Sequence, residues 1–395
     1  MIRKTVILSI IIIIILVPCF VYSYDGDDEK LSLDNLIEQQ IDNLKIDELE
    51  KLVKDISKTT DDVLPEIDFK EFMVSLIKGE KVLKGEDVVN GIFKLVFREV
   101  IANSSLLIKL LVLSIICSVL INLQSAFEKD TVGELAFYVC YLVLISIAIK
   151  SFVMAMDIAK SAINDMVVLM QALLPTLLTL LLAVGGITSS ALFKPIILGA
   201  VSVVSTLMRD IILPMIFFGA IVGIVSNISS RIQISRLSGL IRQISTGIIG
   251  VVLTIFIGII SIQGVTSSKV DGVTIRTAKF AVDKFVPIVG KFLSDAMETV
   301  VGCSMILKNA VGVIGMIALF LICIIPVMKI ISLIIVYKLT SAVIEPIANN
   351  RIVDCLGEIS KSLIMLLATV SAVGVMFFIA VTIIIGAGNV TVMLR

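Results

Sequence analysis

From Val311 to Val336 the chain reads VGVIGMIALFLICIIPVMKIISLIIV, and Lys329 is its only charged residue. A helix needs about 20 predominantly apolar residues to cross a bilayer core about 30 Å thick, and this run exceeds that length. Similar runs recur on both sides of it, so the expected spans are Leu106–Leu123, Val132–Ile149, Val167–Val184, Ile196–Val225, Ile244–Ile262, Val311–Val336 and Leu363–Ile385. Across all 395 residues 58% are apolar in type, and the mean hydropathy is +1.09. Backbone polar groups in hydrocarbon must be satisfied within the segment, which selects helices here. The predicted class is an all-α polytopic membrane protein with about seven transmembrane helices over residues 103–395.

Lys+Arg and Asp+Glu are both 33, yet the charges are divided along the chain. Between Tyr24 and Val100 lie 20 acidic and 11 basic residues, leaving 13 acidic and 22 basic elsewhere. The reading is an acidic soluble segment, residues 24–102, ahead of a membrane body whose basic residues sit near headgroups. Within that segment Leu33, Leu36, Ile37, Ile41, Leu44, Leu49, Leu52, Val53 and Ile56 recur at helical spacing. An amphipathic helical region results, broken at Asp61-Asp62 and Pro65.

Residues 1–23 have the layout of a secretory signal peptide: Arg3 and Lys4, an apolar run from Thr5 to Val17, then Pro18 and the small residues Val21 and Ser23. Cleavage is expected between Ser23 and Tyr24. An uncut anchor and a lipidated Cys19 are the competing readings, and each sends the acidic segment across the membrane. With that segment outside, seven crossings place Gln263–Asn309, rich in lysine, inside with Arg395. The loop carrying Arg231, Arg236 and Arg242 then sits outside, against the positive-inside tendency.

Several polar residues stand out against this background. Arg209-Asp210 interrupts an apolar run, where a charge is costly unless paired, hydrated or turned inward. The pair lines a polar pathway, forms a turn between two short helices, or is a local ion pair. Gln263, Asp271, Arg276, Lys279, Lys308 and Glu345 are further pathway or polar-packing candidates. From Val270 to Val301 the apolar positions Phe285, Ile288, Val289, Phe292 and Leu293 share one face against Lys284, Lys291 and Asp295. An interfacial helix, or a re-entrant element broken at Pro287 and Gly290, is expected there. Gly219, Gly223, Gly312 and Gly315 are small positions at which helices approach closely, within the chain or between copies. The breaking points Pro214 and Pro326 sit in similar apolar contexts, which inverted-repeat transporters and simple proline kinks both explain.

The sequence offers no support for enzyme chemistry. It contains no histidine, and HExxH, GxGD, GxSxG and Walker A strings are missing. No catalytic, cofactor-binding or metal residues are expected. Cys117, Cys140 and Cys323 lie in apolar runs where they behave as small hydrophobes. The division of charge also speaks against nucleic-acid binding.

Three blocks carry a family likeness: Phe256–Gly264, Val270–Phe280 and Pro287–Gly290, continued by Gly302-Cys303-Ser304, Lys308–Gly312 and Glu345-Pro346-Ile347. In these, and in length and layout, the chain resembles the stage III sporulation protein AE family of endospore-forming bacteria. The resemblance implies a multi-pass subunit of the mother-cell membrane in the channel, or feeding-tube-like, complex that joins mother cell to forespore. It implies as partners the other stage III sporulation A-operon proteins, the forespore-side channel protein and the lipid bilayer, with homo-oligomers left open. It also implies that the region after the signal peptide faces the space between the two cells. A self-sufficient secondary transporter and a purely structural membrane scaffold are the competing functions.

Overall fold

The computed structural model describes residues 85–126, 131–227, 234–285, 289–348 and 350–393. The expected signal peptide, the Ser23–Tyr24 cleavage and the acidic segment up to residue 84 lie outside the described residues. The regular elements described are all helices: α1 Gly85–Ala102, α2 Ser104–Ala126, α3 Thr131–Ala183, α4 Ile187–Leu207, α5 Leu213–Ser226, α6 Ser235–Phe285, α7 Val289–Ile344 and α8 Asn350–Met393. A single π-helical turn, Met208–Ile212, joins α4 to α5.

Among the described residues five stretches are long and apolar enough to cross a membrane: Leu135–Ala183, Ile187–Ser226, Ser235–Gly264, Thr299–Ile344 and Asn350–Asn389. Gly91–Ala102 and Ser104–Leu120, bent by 45° at Asn103, make a sixth if counted as one broken span. Against the expected seven, the described residues thus offer five or six candidate spans. Val132–Ile149 and Val167–Val184, expected as separate crossings, lie on the single 53-residue helix α3. The charged residues between them, Lys150, Asp157, Lys160 and Asp165, are helical too. Charge changes a helix's solvent preference and does not interrupt its i→i−4 bonding, so α3 runs straight through them.

Two other expectations shift for the same reason. The α4–α5 run continues through Arg209-Asp210 by one wider turn, so no hairpin forms there. The amphipathic block Val270–Val301 is not a separate helix: its first part is the end of α6 and its second the start of α7. The break expected near Pro287 falls at the junction of these helices, where residues 286–288 lie outside the described residues.

Helices α3, α4–α5, α6, α7 and α8 alternate in direction and pack side by side. α8 lies along α7, α6 and α3, and α1–α2 pack on α7 and α3. One end of the bundle is marked by the α3–α4 hairpin. There Gly185 takes φ 94°, and the Gly186 amide reaches Leu181 O at 2.9 Å while the Gly185 amide reaches Leu182 O at 2.9 Å. This is a Schellman closure, which needs a residue tolerant of left-handed backbone.

The core is one continuous cluster from Leu110 to Ala387. Because lipid is as apolar as leucine, burial by itself does little to join helices in a bilayer, and close backbone approach matters more. The glycines supply that approach. A Cβ on Gly315 would meet Leu173 Cδ2 at 2.4 Å, on Gly312 Ile385 Cδ1 at 2.3 Å, and on Gly374 Cys323 Sγ at 2.8 Å. On α5, Gly219 faces Ile241 and Gly223 faces Ser238 and Glu358. Gly219, Gly223, Gly312 and Gly315 thus all pack within the chain.

Candidate functional site

Polar groups gather at three levels of the bundle. At the hairpin end, α4 starts at Ile187 behind Gly186, with no capping side chain of its own. The first amides of a helix have no partner within it. Asp271, on α6 and 1% exposed, supplies them: its carboxylate accepts the Thr188 amide at 2.7 Å and the Ser189 amide at 2.9 Å. The positive end of the α4 dipole favours a carboxylate at this place.

At the same end Lys308 is fully buried. Its Nζ donates to Ile385 O at 2.8 Å and to Asn389 Oδ1 at 3.2 Å. Room for the amino group exists because residue 388 is glycine, whose Cβ would lie 2.0 Å from Nζ. The lysine therefore ties α7 to the end of α8 through a backbone carbonyl and an amide, both of which accept well from an amino group.

Midway along, Arg209 Nε donates to Asp210 Oδ1 at 2.7 Å and Nη2 to Asp210 Oδ2 at 3.0 Å. Nη1 reaches Asn164 Oδ1 on α3 at 3.3 Å. Neighbouring residues point about 100° apart on a regular helix; the wider turn Met208–Ile212 accompanies a bidentate pair between adjacent residues. Of the three readings of this dipeptide, the geometry is that of a local ion pair with one tether to α3.

At the far end Glu358 of α8 accepts from Arg242 Nη2 at 2.7 Å, from Lys361 Nζ at 2.7 Å and from Ser238 Oγ at 3.4 Å. Ser238 also contacts Gly219 O at 2.9 Å, so α5, α6 and α8 meet at one polar joint. Tyr141 OH closes the same end by reaching Asn227 O and Arg351 O at 3.2 and 3.3 Å. Below it, Ser151 and the buried Tyr337 share a hydrogen bond between α3 and α7.

The sequence candidates are therefore spread along the bundle and do not converge on one centre. Asp271 and Lys308 share the hairpin end, Arg209 and Asp210 sit midway, and Glu345 is exposed in the turn after α7 at the other end. Gln263 is half-buried on α6. Arg276 and Lys279 lie on α6, with side chains outside the described residues. Glu358 and its partner Arg242 were not singled out as a pair. The readable signal was Glu358-x-x-Lys361, opposite charges one turn apart on α8. Among the described residues no group of three or more Cys, Asp or Glu is placed to hold a metal ion.

Each of these joints satisfies groups that would otherwise be costly to bury, and each links helices distant in sequence. A family model described as Stage III sporulation protein AE matches residues 67–388, a range that contains every residue of these joints except Asn389. The chain belongs to the stage III sporulation protein AE family. A relative of that description from Bacillus subtilis (strain 168) is 38% identical over 369 residues, covering 93% of this chain and 92% of the relative. No solved structure matches the chain. For this family member, a role in sporulation and a multi-pass membrane fold now stand together.

Proposed function

We propose that this chain is a membrane subunit of the stage III channel complex between mother cell and forespore, required for late forespore development. It sits in the mother-cell membrane facing the forespore, with the region after the signal peptide on the extracytoplasmic side. It works beside the other stage III A-operon proteins and the forespore-side channel protein, carries no catalytic centre and needs no cofactor. The observation that supports this most is the family match over nearly the whole membrane body. The bundle agrees with it: long helices pinned by buried polar joints suit a rigid platform for partners better than a carrier that must rock between two states.

The test has two arms. In an endospore-forming cell, deletion of the chain should stop late forespore gene expression after engulfment, and the tagged chain should co-purify with other stage III A-operon proteins from solubilised sporangia. Substrate-saturable solute flux by the purified chain alone in liposomes, without those partners, would instead identify a self-sufficient transporter. Normal late expression in the deletion strain would overturn the proposal altogether.

A further inference from the structure

The bundle is much longer than a bilayer is thick. Leu135–Ala183 has 49 residues, about 74 Å at 1.5 Å per residue against a hydrocarbon core of about 30 Å. Only part of each helix can meet acyl chains, and the placement of charge decides which part.

Close contacts set the levels. Gly315 lies against Leu173, Gly312 against Leu177 and Ile385, Gly374 against Met166 and Cys323, Gly264 against Ile383, and Gly388 against Leu181. The half of the bundle next to the Gly185–Gly186 hairpin therefore contains Met166–Ala183, Pro195–Met208, the stretch of α6 leading to Gly264, Asn309–Met328 and the C-terminal half of α8. None of these segments contains Asp, Glu, Lys or Arg. Asn309–Met328 is about 30 Å long and Met166–Ala183 about 27 Å.

Charged residues bound this slab on both sides. At the hairpin rim are Asp271 and Lys308; Lys194 lies seven residues into α4, about 10 Å from Ile187, and its long side chain reaches back toward the headgroups. At the other rim are Asp165, Arg209, Asp210 and Lys329, with Asn164 tying Arg209 to α3. Beyond that rim the bundle carries Asp157, Lys160, Lys150, Lys338, Arg242, Glu358 and Lys361. A bilayer centred there would place several of these charges among acyl chains, the costliest position for such groups.

Three exposed hydroxyls of the slab point the same way. Thr179 donates to Pro175 O at 2.8 Å, Thr254 to Gly250 O at 2.8 Å and Thr382 to Phe378 O at 2.8 Å. Each is satisfied by its own helix, which lowers the cost of facing lipid. Gln171, exposed on α3, is uncharged.

We propose that the acyl layer of the membrane wraps only the half of the bundle nearest the Gly185–Gly186 hairpin. The Asn164–Arg209–Asp210 belt lies at the opposite headgroup level, and the charged parts of α3, α6, α7 and α8 beyond it stand clear of the lipid chains. Arg209 and Asp210 are then interfacial anchors, and Val132–Ile149 is not a crossing. This rests on the membrane reading of the fold and adds its depth and register.

The chain has no tryptophan, so single tryptophans report without background. Full-length protein carrying Val168→Trp, Val203→Trp or Ile259→Trp, all exposed within the slab, is reconstituted in phosphatidylcholine vesicles with or without acyl-brominated lipid. Leu240→Trp and Leu339→Trp, exposed beyond the rim, form the second set. The slab set should lose at least half its fluorescence to brominated lipid while the second set loses little. Equal quenching of both sets, or quenching of the second set alone, overturns the placement while leaving the membrane fold intact; quenching of neither overturns both. If one slab variant does not fold, the other two still decide, since each sits on a different helix.

Discussion

Asp271 accepts the Thr188 amide at 2.7 Å, so a carboxylate on α6 caps a helix that begins more than eighty residues earlier. A buried cap holds two elements at once, the start of α4 and its position against α6.

Replacing Asp271 with alanine should cost about 1–2 kcal/mol, the upper part of the range for a lost N-cap, because the orphaned amides stay buried. Asparagine keeps one acceptor and should cost less. Thermal unfolding of the purified protein in detergent, followed by helix content, checks the order wild type, asparagine, alanine.

Gly388 and Lys308 should be coupled. Gly388→Ala places a methyl group where Nζ now sits and must push the amino group off the Ile385 carbonyl. In a Lys308→Ala background that clash is gone, so the same change should be milder by about 1 kcal/mol or more. A double-mutant cycle on unfolding midpoints reads the difference, and strict additivity would show that the contact carries no energy.

Glu358 joins three helices, with side-chain exposures of 19% for Glu358 and 25% for Arg242. Glu358→Ala leaves Arg242 without its carboxylate and should destabilise by about 1–3 kcal/mol, less than for a fully buried pair because water reaches both groups. The exchange Arg242→Glu with Glu358→Arg should recover part of the loss. Folded yield after detergent extraction is the measurement.

Arg209→Leu leaves Asp210 unpaired. At the headgroup level this should leave membrane abundance within twofold, because water screens an exposed pair. Among acyl chains an unpaired aspartate is costly enough to lower abundance severalfold. Abundance by immunoblot of membrane fractions separates the two.

The sequence alone determined that this is a helical membrane protein, because apolar runs such as Val311–Val336 have no other stable solvent, and it placed Gly312 and Gly315 as close-packing positions. Only the tertiary structure decided where helices continue and which polar groups meet. A helix is interrupted by lost backbone bonds, and Asp157 or Lys160 removes none, so a charged stretch inside α3 looks the same in sequence as a loop. Asp271 with Thr188, Lys308 with Asn389 and Arg242 with Glu358 join residues far apart in the chain, and such pairings leave no periodic trace because they depend on how neighbouring helices are set against each other.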